Sequence, residues 1–119
     1  MLADLPSGPP PSPRTRRHPS ERVEQALRAL AAGHGQIVIH REVPWASITF
    51  AGTRHTLMLS YCGAEAVAAG EDLIAVLPDH EFAIPGQLVA DAQVLSVDHA
   101  MLPEPALRVE VELLLLEDA

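Results

Sequence analysis

The chain has 119 residues, a formal net charge of −8 and no lysine, so all eight of its basic residues are arginine. A chain of this length forms one domain that buries somewhat more than about 60% of its unfolded surface. Since it has only two phenylalanines, one tryptophan and one tyrosine, its core must be built from aliphatic side chains. The exclusive use of arginine is typical of a GC-rich, bacterial-like coding composition. The acidic balance disfavours binding to nucleic acid.

The apolar runs and the cysteine content indicate in which cellular compartment the protein is expected. No window approaches the roughly 18 apolar residues that a membrane span requires, and the N-terminus lacks the basic start and apolar run of a secretory signal. Cys62 is the only cysteine, so no intramolecular disulfide can form. We therefore expect a cytoplasmic protein that does not associate with membranes.

The N-terminal segment differs in composition from the rest of the chain. Residues 1–19 hold six of the eleven prolines and more arginine than acid. Such a segment buries too little apolar surface to offset the entropy lost on ordering, which predicts a flexible tail. The sequence thus divides into a Pro/Ser/Arg-rich tail, 1–19, and a single folded domain, 20–119.

The first element of the domain is a helix predicted over residues 21–32. Ser20 is a suitable N-cap, and Glu21 lies in the first turn, where the helix dipole favours acidic residues. Gly33 and Gly35 provide a C-terminal stop. The apolar side chains recur at the spacing of one buried stripe, namely Val23, Ala26, Leu27, Leu30 and Ala31.

A β-hairpin is predicted over residues 36–62, with its turn at Ala51-Gly52. Pro44 removes a hydrogen-bond donor from the first strand, which places this strand at an edge or at a bulge. The alternative is two strands with a turn at 42–45. A three-residue loop with Gly52 in the left-handed conformation would shift every pair by one. The two-residue turn would pair Phe50 with Thr53, Ile48 with His55, and Ala46 with Leu57.

The second half of the domain repeats the order of helix and hairpin. An alanine-rich helix is predicted at 64–77, with Gly70 as a weak point in its middle. Strands at 88–97 and 107–116 then pair across the loop 99–105. In the last strand one face collects Leu107, Val109, Val111, Leu113 and Leu115, and the other collects Arg108, Glu110 and Glu112.

These elements predict an α+β fold in two layers with the order αββαββ. Two helices pack on one face of a mainly antiparallel sheet of four to five strands. The other face of the sheet is not covered by anything that the chain offers. This uncovered face is the architectural feature with the most direct bearing on function.

The uncovered face predicts a homodimer, or association with another protein partner. In the two-residue register Trp45 and Met58 lie across from each other on this face. An apolar patch of this kind is unusual on a monomer but common at a twofold interface. Arg54 would form a charged rim with Glu110 or Glu112 of the second copy. The candidate interface residues are Trp45, Met58, Arg54, Leu114 and Leu116.

The sequence offers no specific signature of catalysis or of metal binding. The six histidines lack the short spacings of metal ligands, and the polar link at 79–81 is typical of a surface turn. Cys62 and His55 are seven residues apart, so a regular strand points them to opposite faces. No nucleophile elbow or phosphate-binding loop is present. We therefore predict no catalytic residue, no metal and no cofactor.

The favoured function is that of a small, acidic, non-catalytic α+β module that acts through self-association or protein–protein interaction. The alternative is a small-molecule-binding domain or minor enzyme with a pocket between the helices and the sheet. No motif is specific enough to indicate a family. The candidate residues of that pocket are His55, His80, Glu81 and Tyr61.

Overall fold

The structure, a computed structural model, describes residues 19–117. Its four strands form an antiparallel sheet in the order β1-β2-β4-β3, with both helices on one side, which confirms the predicted α+β fold class. Within the described residues a short 3-10 turn, Leu77–Asp79, follows the second helix. The elements in chain order are α1 (Pro19–Leu30), β1 (Gln36–Ala46), β2 (Ala51–Cys62), α2 (Ala64–Val76), β3 (Gln87–Ala100) and β4 (Ala106–Glu117).

The start of α1 differs slightly from the prediction. The helix begins at Pro19, so Ser20 lies inside the first turn and is not the N-cap. Proline suits this position because its φ is already helical and the first turn requires no N–H bond from it. The tail predicted for residues 1–19 otherwise lies outside the described residues. Val23 and Leu27 are buried, as the apolar stripe predicts.

The end of α1 is closed by a pair of backbone hydrogen bonds. The N–H of Gly33 donates to the carbonyl of Arg28 at 2.7 Å, and the N–H of Ala32 donates to Ala29 at 3.3 Å. This is the Schellman pattern, in which one residue adopts the left-handed conformation. That residue is Ala32, with φ of 53°, one position before the glycine expected to end the helix.

The turn of the first hairpin lies elsewhere than predicted. Ala46 pairs with Ala51, so the loop is 47–50 and the predicted turn at Ala51-Gly52 is wrong, together with its three strand pairs. The loop closes on Ser47, whose N–H donates to the Phe50 carbonyl at 2.7 Å. The Phe50 N–H in turn donates to Ser47 Oγ at 3.1 Å. The position of the turn is therefore determined by a serine whose side chain hydrogen-bonds the backbone of the loop, and not by the Ala-Gly sequence.

Gly52 has a packing role instead of a turn role. It lies in β2 opposite Trp45 on one side and Leu116 on the other. A Cβ atom at this position would collide with the backbone carbonyl oxygen of Leu115. A glycine inside a strand can mark the close approach of another backbone, and here it lets β4 approach β2.

Pro44 lies within a single strand, β1, which ends at Ala46. The strand is at the edge of the sheet, as the proline predicts, and its register shifts between Ile37 and Ile39. The two-strand alternative with a turn at 42–45 is therefore wrong.

The core lies between the helices and the two central strands. In α2, Gly70 is buried, and a Cβ there would lie 2.8 Å from side-chain atoms of both Leu107 and Tyr61. This glycine allows the helix to approach the sheet closely, and the helix continues through it. Both strands alternate as predicted, and the residues they bury on the helix side are His55, Leu57, Leu59 and Tyr61 in β2, and Leu107, Val109, Val111, Leu113 and Leu115 in β4. Gly52 and Leu116 are buried as well, on the opposite side of the sheet.

The opposite side of the sheet, which we call the outer face, is covered by neither helix. None of the helices in residues 19–117 is long and apolar enough to span a bilayer.

Paired residues of neighbouring strands share a face, so the register of the strand pairs determines which residues belong to the outer face. The outer face comprises Gln36, Ile39, Arg41, Val43 and Trp45 of β1; Gly52, Arg54, Thr56, Met58, Ser60 and Cys62 of β2; Leu88, Asp91, Gln93, Ser96, Asp98 and Ala100 of β3; and Ala106, Arg108, Glu110, Glu112, Leu114 and Leu116 of β4.

Candidate functional site

The outer face has an apolar end. One row of paired residues crosses all four strands from Trp45 through Gly52 and Leu116 to Leu88. Leu88 is 57% exposed, and Val43 beside this row is 56% exposed. Burying such side chains gives about 25 cal/mol for each Å² of apolar surface removed from water. This end of the sheet therefore leaves apolar surface exposed to water.

The loop of the first hairpin enlarges the apolar end. Ile48 is fully exposed, and Phe50 is about half exposed. Both lie in the loop 47–50 that connects β1 to β2, within five residues of Trp45. The outer face and this loop thus present two apolar surfaces at the same end of the molecule.

Beyond the apolar end, the outer face is polar and internally paired. Arg54 Nη1 lies 3.3 Å from Glu112 Oε1, and Gln93 Nε2 donates to the same oxygen at 3.1 Å. Ser96 Oγ donates to Glu110 Oε1 at 3.3 Å. Arg54 was expected to meet Glu110 or Glu112 of a second copy, but it pairs with Glu112 of its own chain. Exposed pairs of this kind add little stability, about 0–1 kcal/mol.

The charges are distributed unequally between the outer face and the rest of the molecule. Three arginines on the outer face oppose four acidic residues, a net charge of −1, whereas the remaining described residues have two arginines against ten acidic residues, a net charge of −8. The outer face is therefore nearly neutral on a strongly acidic molecule. Its charged members are Arg41, Arg54, Arg108, Asp91, Asp98, Glu110 and Glu112.

All five predicted interface residues lie on the outer face, but they are not arranged as predicted. Trp45 pairs with Gly52, and Met58 pairs with Ile39, so the expected pair of Trp45 with Met58 does not form. The row of paired residues that contains Trp45 and the row that contains Met58 are six residues apart along β1, which is about 20 Å. Leu114 and Leu116 lie on the rows nearest Trp45. The apolar end thus contains Trp45 with these leucines, and Met58 belongs to the polar region.

The four predicted pocket residues do not form one compact site. His55 and Tyr61 are both buried, but they are six residues apart in β2, about 20 Å. His80 and Glu81 are exposed in the link after α2, where the His80 ring contacts Phe82. A cavity of about 410 Å³ lies elsewhere, and its lining residues include Ser60, Cys62, Asp98, His99 and Arg108. The predicted role of His55, Tyr61, His80 and Glu81 in binding a ligand stays a prediction.

A histidine pair connects α1 to the first hairpin. His40 Nδ1 lies 2.7 Å from Glu24 Oε2, and His40 Nε2 lies 2.9 Å from His55 Nδ1. His55 is 1% exposed, and the side chain of His40 is 10% exposed. Since an ionised carboxylate only accepts, Nδ1 of His40 carries a proton. In the neutral pair, Nε2 of His40 then accepts from the N–H of His55.

Glu42 brings a carboxylate to the same place. It is two residues after His40 on β1, so both point to one side of the sheet, and it pairs directly with His55 of β2. One donor atom from each of these three residues lies within 4.8 Å of the other two. We call His40, Glu42 and His55 the hairpin cluster.

The hairpin cluster was not predicted from the sequence, although the sequence contains a signal for it. His40 and Glu42 form a His-x-Glu pair, whose side chains share one side of a strand. The turn predicted at Ala51-Gly52 placed Ile48 opposite His55, whereas the structure places Glu42 there. The error in register therefore separated the three residues.

Comparison with protein-family models, with curated proteins and with solved structures gives no match to this chain.

Proposed function

We propose that this protein is a small, acidic, non-catalytic module that acts through association, and that a second copy of the chain covers its outer face. The observation that carries the proposal is the combination, on one face, of an apolar end with near neutrality. Val43 and Leu88 are more than half exposed there. Apolar patches of this kind mark interaction surfaces.

The charge distribution favours a second copy as the partner. Most surfaces of the molecule would repel the same surface of another copy, because the described residues outside the outer face have a net charge of −8. Two outer faces have a net charge of only −1 each and present both signs. A twofold axis through this face would place apolar end against apolar end, or apolar end against the paired polar region.

The size of the outer face suits such an interface. Four strands about 4.8 Å apart, paired over about eleven residues of about 3.3 Å each, give a surface on the order of 700 Å². A standard protein–protein interface buries about 800 Å² on each partner. The face and the adjoining hairpin loop together reach this range.

Pairing through the sheet edges is a less favourable route to a dimer. The edge strand β1 contains Pro44 and an irregularity between Ile37 and Ile39. The other edge, β3, is irregular between Val89 and Asp91 and again further along the strand. Proline and bulges both interrupt the row of groups that would pair with another strand. The outer face is therefore the proposed contact.

The proposal includes a cytoplasmic location. Cys62 is the single cysteine and is exposed. A protein without an intramolecular disulfide does not need an oxidising compartment to form its cross-links. A reducing compartment also keeps an exposed thiol from linking copies covalently.

The test measures mass by sedimentation velocity over a range of concentrations in the full chain. Val43→Glu and Leu88→Glu each introduce an acid at the apolar end of the outer face, which the second copy would bury. We expect each to weaken dimerisation at least about tenfold, equivalent to about 1.4 kcal/mol. Trp45→Ala should also weaken dimerisation. The loss in the free energy of dimerisation should exceed the loss in the free energy of unfolding of the single chain.

Val76→Glu is the matched control, because Val76 is also an exposed valine, at the end of α2. It adds the same charge on the helix side and should leave the dimer intact. A wild-type protein that sediments as a monomer at every concentration would contradict the proposal. A dimer weakened equally by Val76→Glu and Val43→Glu would also contradict it.

A further inference from the structure

The hairpin cluster has the composition of a metal site. Two imidazole nitrogens and one carboxylate oxygen form a ligand set that suits borderline first-row ions, and zinc in particular. Mg²⁺ and Ca²⁺ prefer sites made of oxygen atoms alone. We propose that His40, Glu42 and His55 bind one divalent transition-metal ion, with zinc as its natural occupant.

The distances within the cluster are close to those of a bound ion. Two nitrogens that bind the same tetrahedral zinc at about 2.0–2.1 Å lie about 3.3 Å apart. The nitrogens of His40 and His55 lie 2.9 Å apart, so they need to separate by only a few tenths of an ångström. Glu42 is exposed, and its side chain can rotate to complete the set.

The protonation of the pair is also suited to an ion. The hydrogen between His40 Nε2 and His55 Nδ1 occupies the place where the metal would lie. For both ligand nitrogens to become lone-pair donors without net loss of a proton, His55 must change from its Nδ1–H to its Nε2–H tautomer on binding, which moves the hydrogen to a buried nitrogen. The ion then takes over the contact that this hydrogen makes.

Glu24 acts as a positioning residue for the site. Its carboxylate accepts the Nδ1–H of His40 at 2.7 Å, which fixes the imidazole with Nε2 directed at His55. Ligating histidines usually donate their other N–H to a carboxylate or carbonyl in this way, which orients the ring and raises its basicity. Glu24 comes from α1, so metal binding would also connect the helix to the hairpin.

The arrangement leaves the ion open on one side. His55 is buried and His40 nearly so, whereas Glu42 lies at the exposed edge strand. Three protein ligands leave a fourth position for water or another small ligand, a feature of zinc sites that are not purely structural. This inference does not depend on dimerisation, because all three ligands belong to one chain.

The test titrates chelator-treated full-length protein with Zn²⁺ by calorimetry and with Co²⁺ by visible absorption. A Cys62→Ser background removes the exposed thiol as an adventitious ligand. We expect saturable binding of one equivalent that Mg²⁺ does not displace. Glu42→Gln, at an exposed position that leaves the fold intact, should raise the dissociation constant at least about tenfold.

His80→Gln is the matched control, because His80 is an exposed histidine between two acidic residues. It should leave the affinity unchanged. If the wild-type protein binds no equivalent of Zn²⁺ or Co²⁺, or if His80→Gln lowers the affinity and Glu42→Gln does not, the proposal is wrong and the pair only fastens α1 to the sheet.

A spectroscopic measurement on the unsubstituted site avoids any dependence on folding of the variants. Long-range ¹H–¹⁵N spectra resolve the two nitrogens of each imidazole. Zn²⁺ should shift Nε2 of His40 and Nδ1 of His55, and convert His55 to the Nε2–H tautomer. Shifts confined to other histidines would overturn the assignment.

Discussion

Ala32 holds a conformation that alanine adopts at a cost. Its φ of 53° is required by the hydrogen bonds that end α1, and the left-handed region costs an L-residue with a Cβ roughly 1–2 kcal/mol. Ala32→Gly should therefore raise the free energy of unfolding by about 1 kcal/mol, less a small loss from the greater entropy of the unfolded glycine. Chemical denaturation measures the change.

The same substitution elsewhere gives the control for Ala32. Ala68 is exposed in the middle of α2, where glycine is worse than alanine by about 1 kcal/mol. Ala68→Gly should thus destabilise the protein while Ala32→Gly stabilises it. Equal losses from both changes would mean that residue 32 is helical in solution.

Tyr61 makes the stability sensitive to alkaline pH. Burial against α2 raises the pKa of its phenol to about 12, whereas an unfolded tyrosine titrates near about 10. The raised pKa means that the fold favours the neutral phenol, so this stabilisation is complete below pH 10 and is lost between about 10 and 12. The total loss is about 2–3 kcal/mol, at about 1.4 kcal/mol for each pH unit.

The composition of the chain makes the alkaline effect easy to measure. Tyr61 is the only tyrosine, so the rise in absorbance near 295 nm on ionisation follows this phenol alone. The chain also has no lysine, so no lysine ammonium group titrates near about pH 10. Tyr61→Phe should remove most of the fall in unfolding free energy between pH 10 and pH 12, whatever its effect at pH 7. A fall of the same size in the variant would assign it to another group.

At the scale of the element, Gly52 decides how closely β2 and β4 can approach. Because a Cβ there would collide with the Leu115 carbonyl, Gly52→Ala must move one central strand or strain it. We expect a loss of more than about 2 kcal/mol in the free energy of unfolding, at the upper part of the range for overpacked sites. Thermal unfolding should show a drop of roughly 8 °C or more.

Ala51 provides the comparison for Gly52. It is exposed and pairs with Ala46 next to the loop, so Ala51→Ser adds atoms without a collision and should cost little. If Gly52→Ala is tolerated equally well, then the backbone of β4 does not approach residue 52 as closely as this packing requires.

The hairpin also shows which signals in this sequence were sufficient. The alternation of β2 and β4 predicted their buried faces correctly, since burial imposes a period of two on each strand. The pairing between β1 and β2 could not be read in the same way, because β1 at the edge is mostly exposed. The register of β1 therefore depends on the position of the turn. The hydrogen bonds between Ser47 and Phe50 place that turn at 47–50 and not at Gly52.

That single error in register accounts for the missed histidine pair. His40 and Glu42 are recognisable as neighbours on one strand, but their relation to His55 exists only when Glu42 lies opposite it. The position of Glu24 beside His40 required in addition the placement of α1 over β1. Contacts between elements of this kind are set by tertiary packing, which local spacing does not encode.

At the scale of the whole molecule, the layer arrangement was the most predictable feature. Two amphipathic helices and four strands, of which the last alternates over most of its length, have few ways to bury their apolar sides. The faces of the five predicted interface residues followed correctly from this arrangement. The near neutrality of the outer face was not foreseen, because it depends on which strand residues point away from the helices.

The unequal distribution of charge limits how far assembly can proceed. Two molecules joined through their outer faces turn their acidic helix layers, each part of a surface with net charge −8, to opposite outsides of the pair. Those layers are then as far from each other as the pair allows, while any third molecule meets an acidic surface from either direction. Repulsion of this kind acts over about 10 Å at 0.1 M salt. The proposed dimer would therefore stop growing at two copies, and the charge that slows the first encounter would also keep a third molecule away.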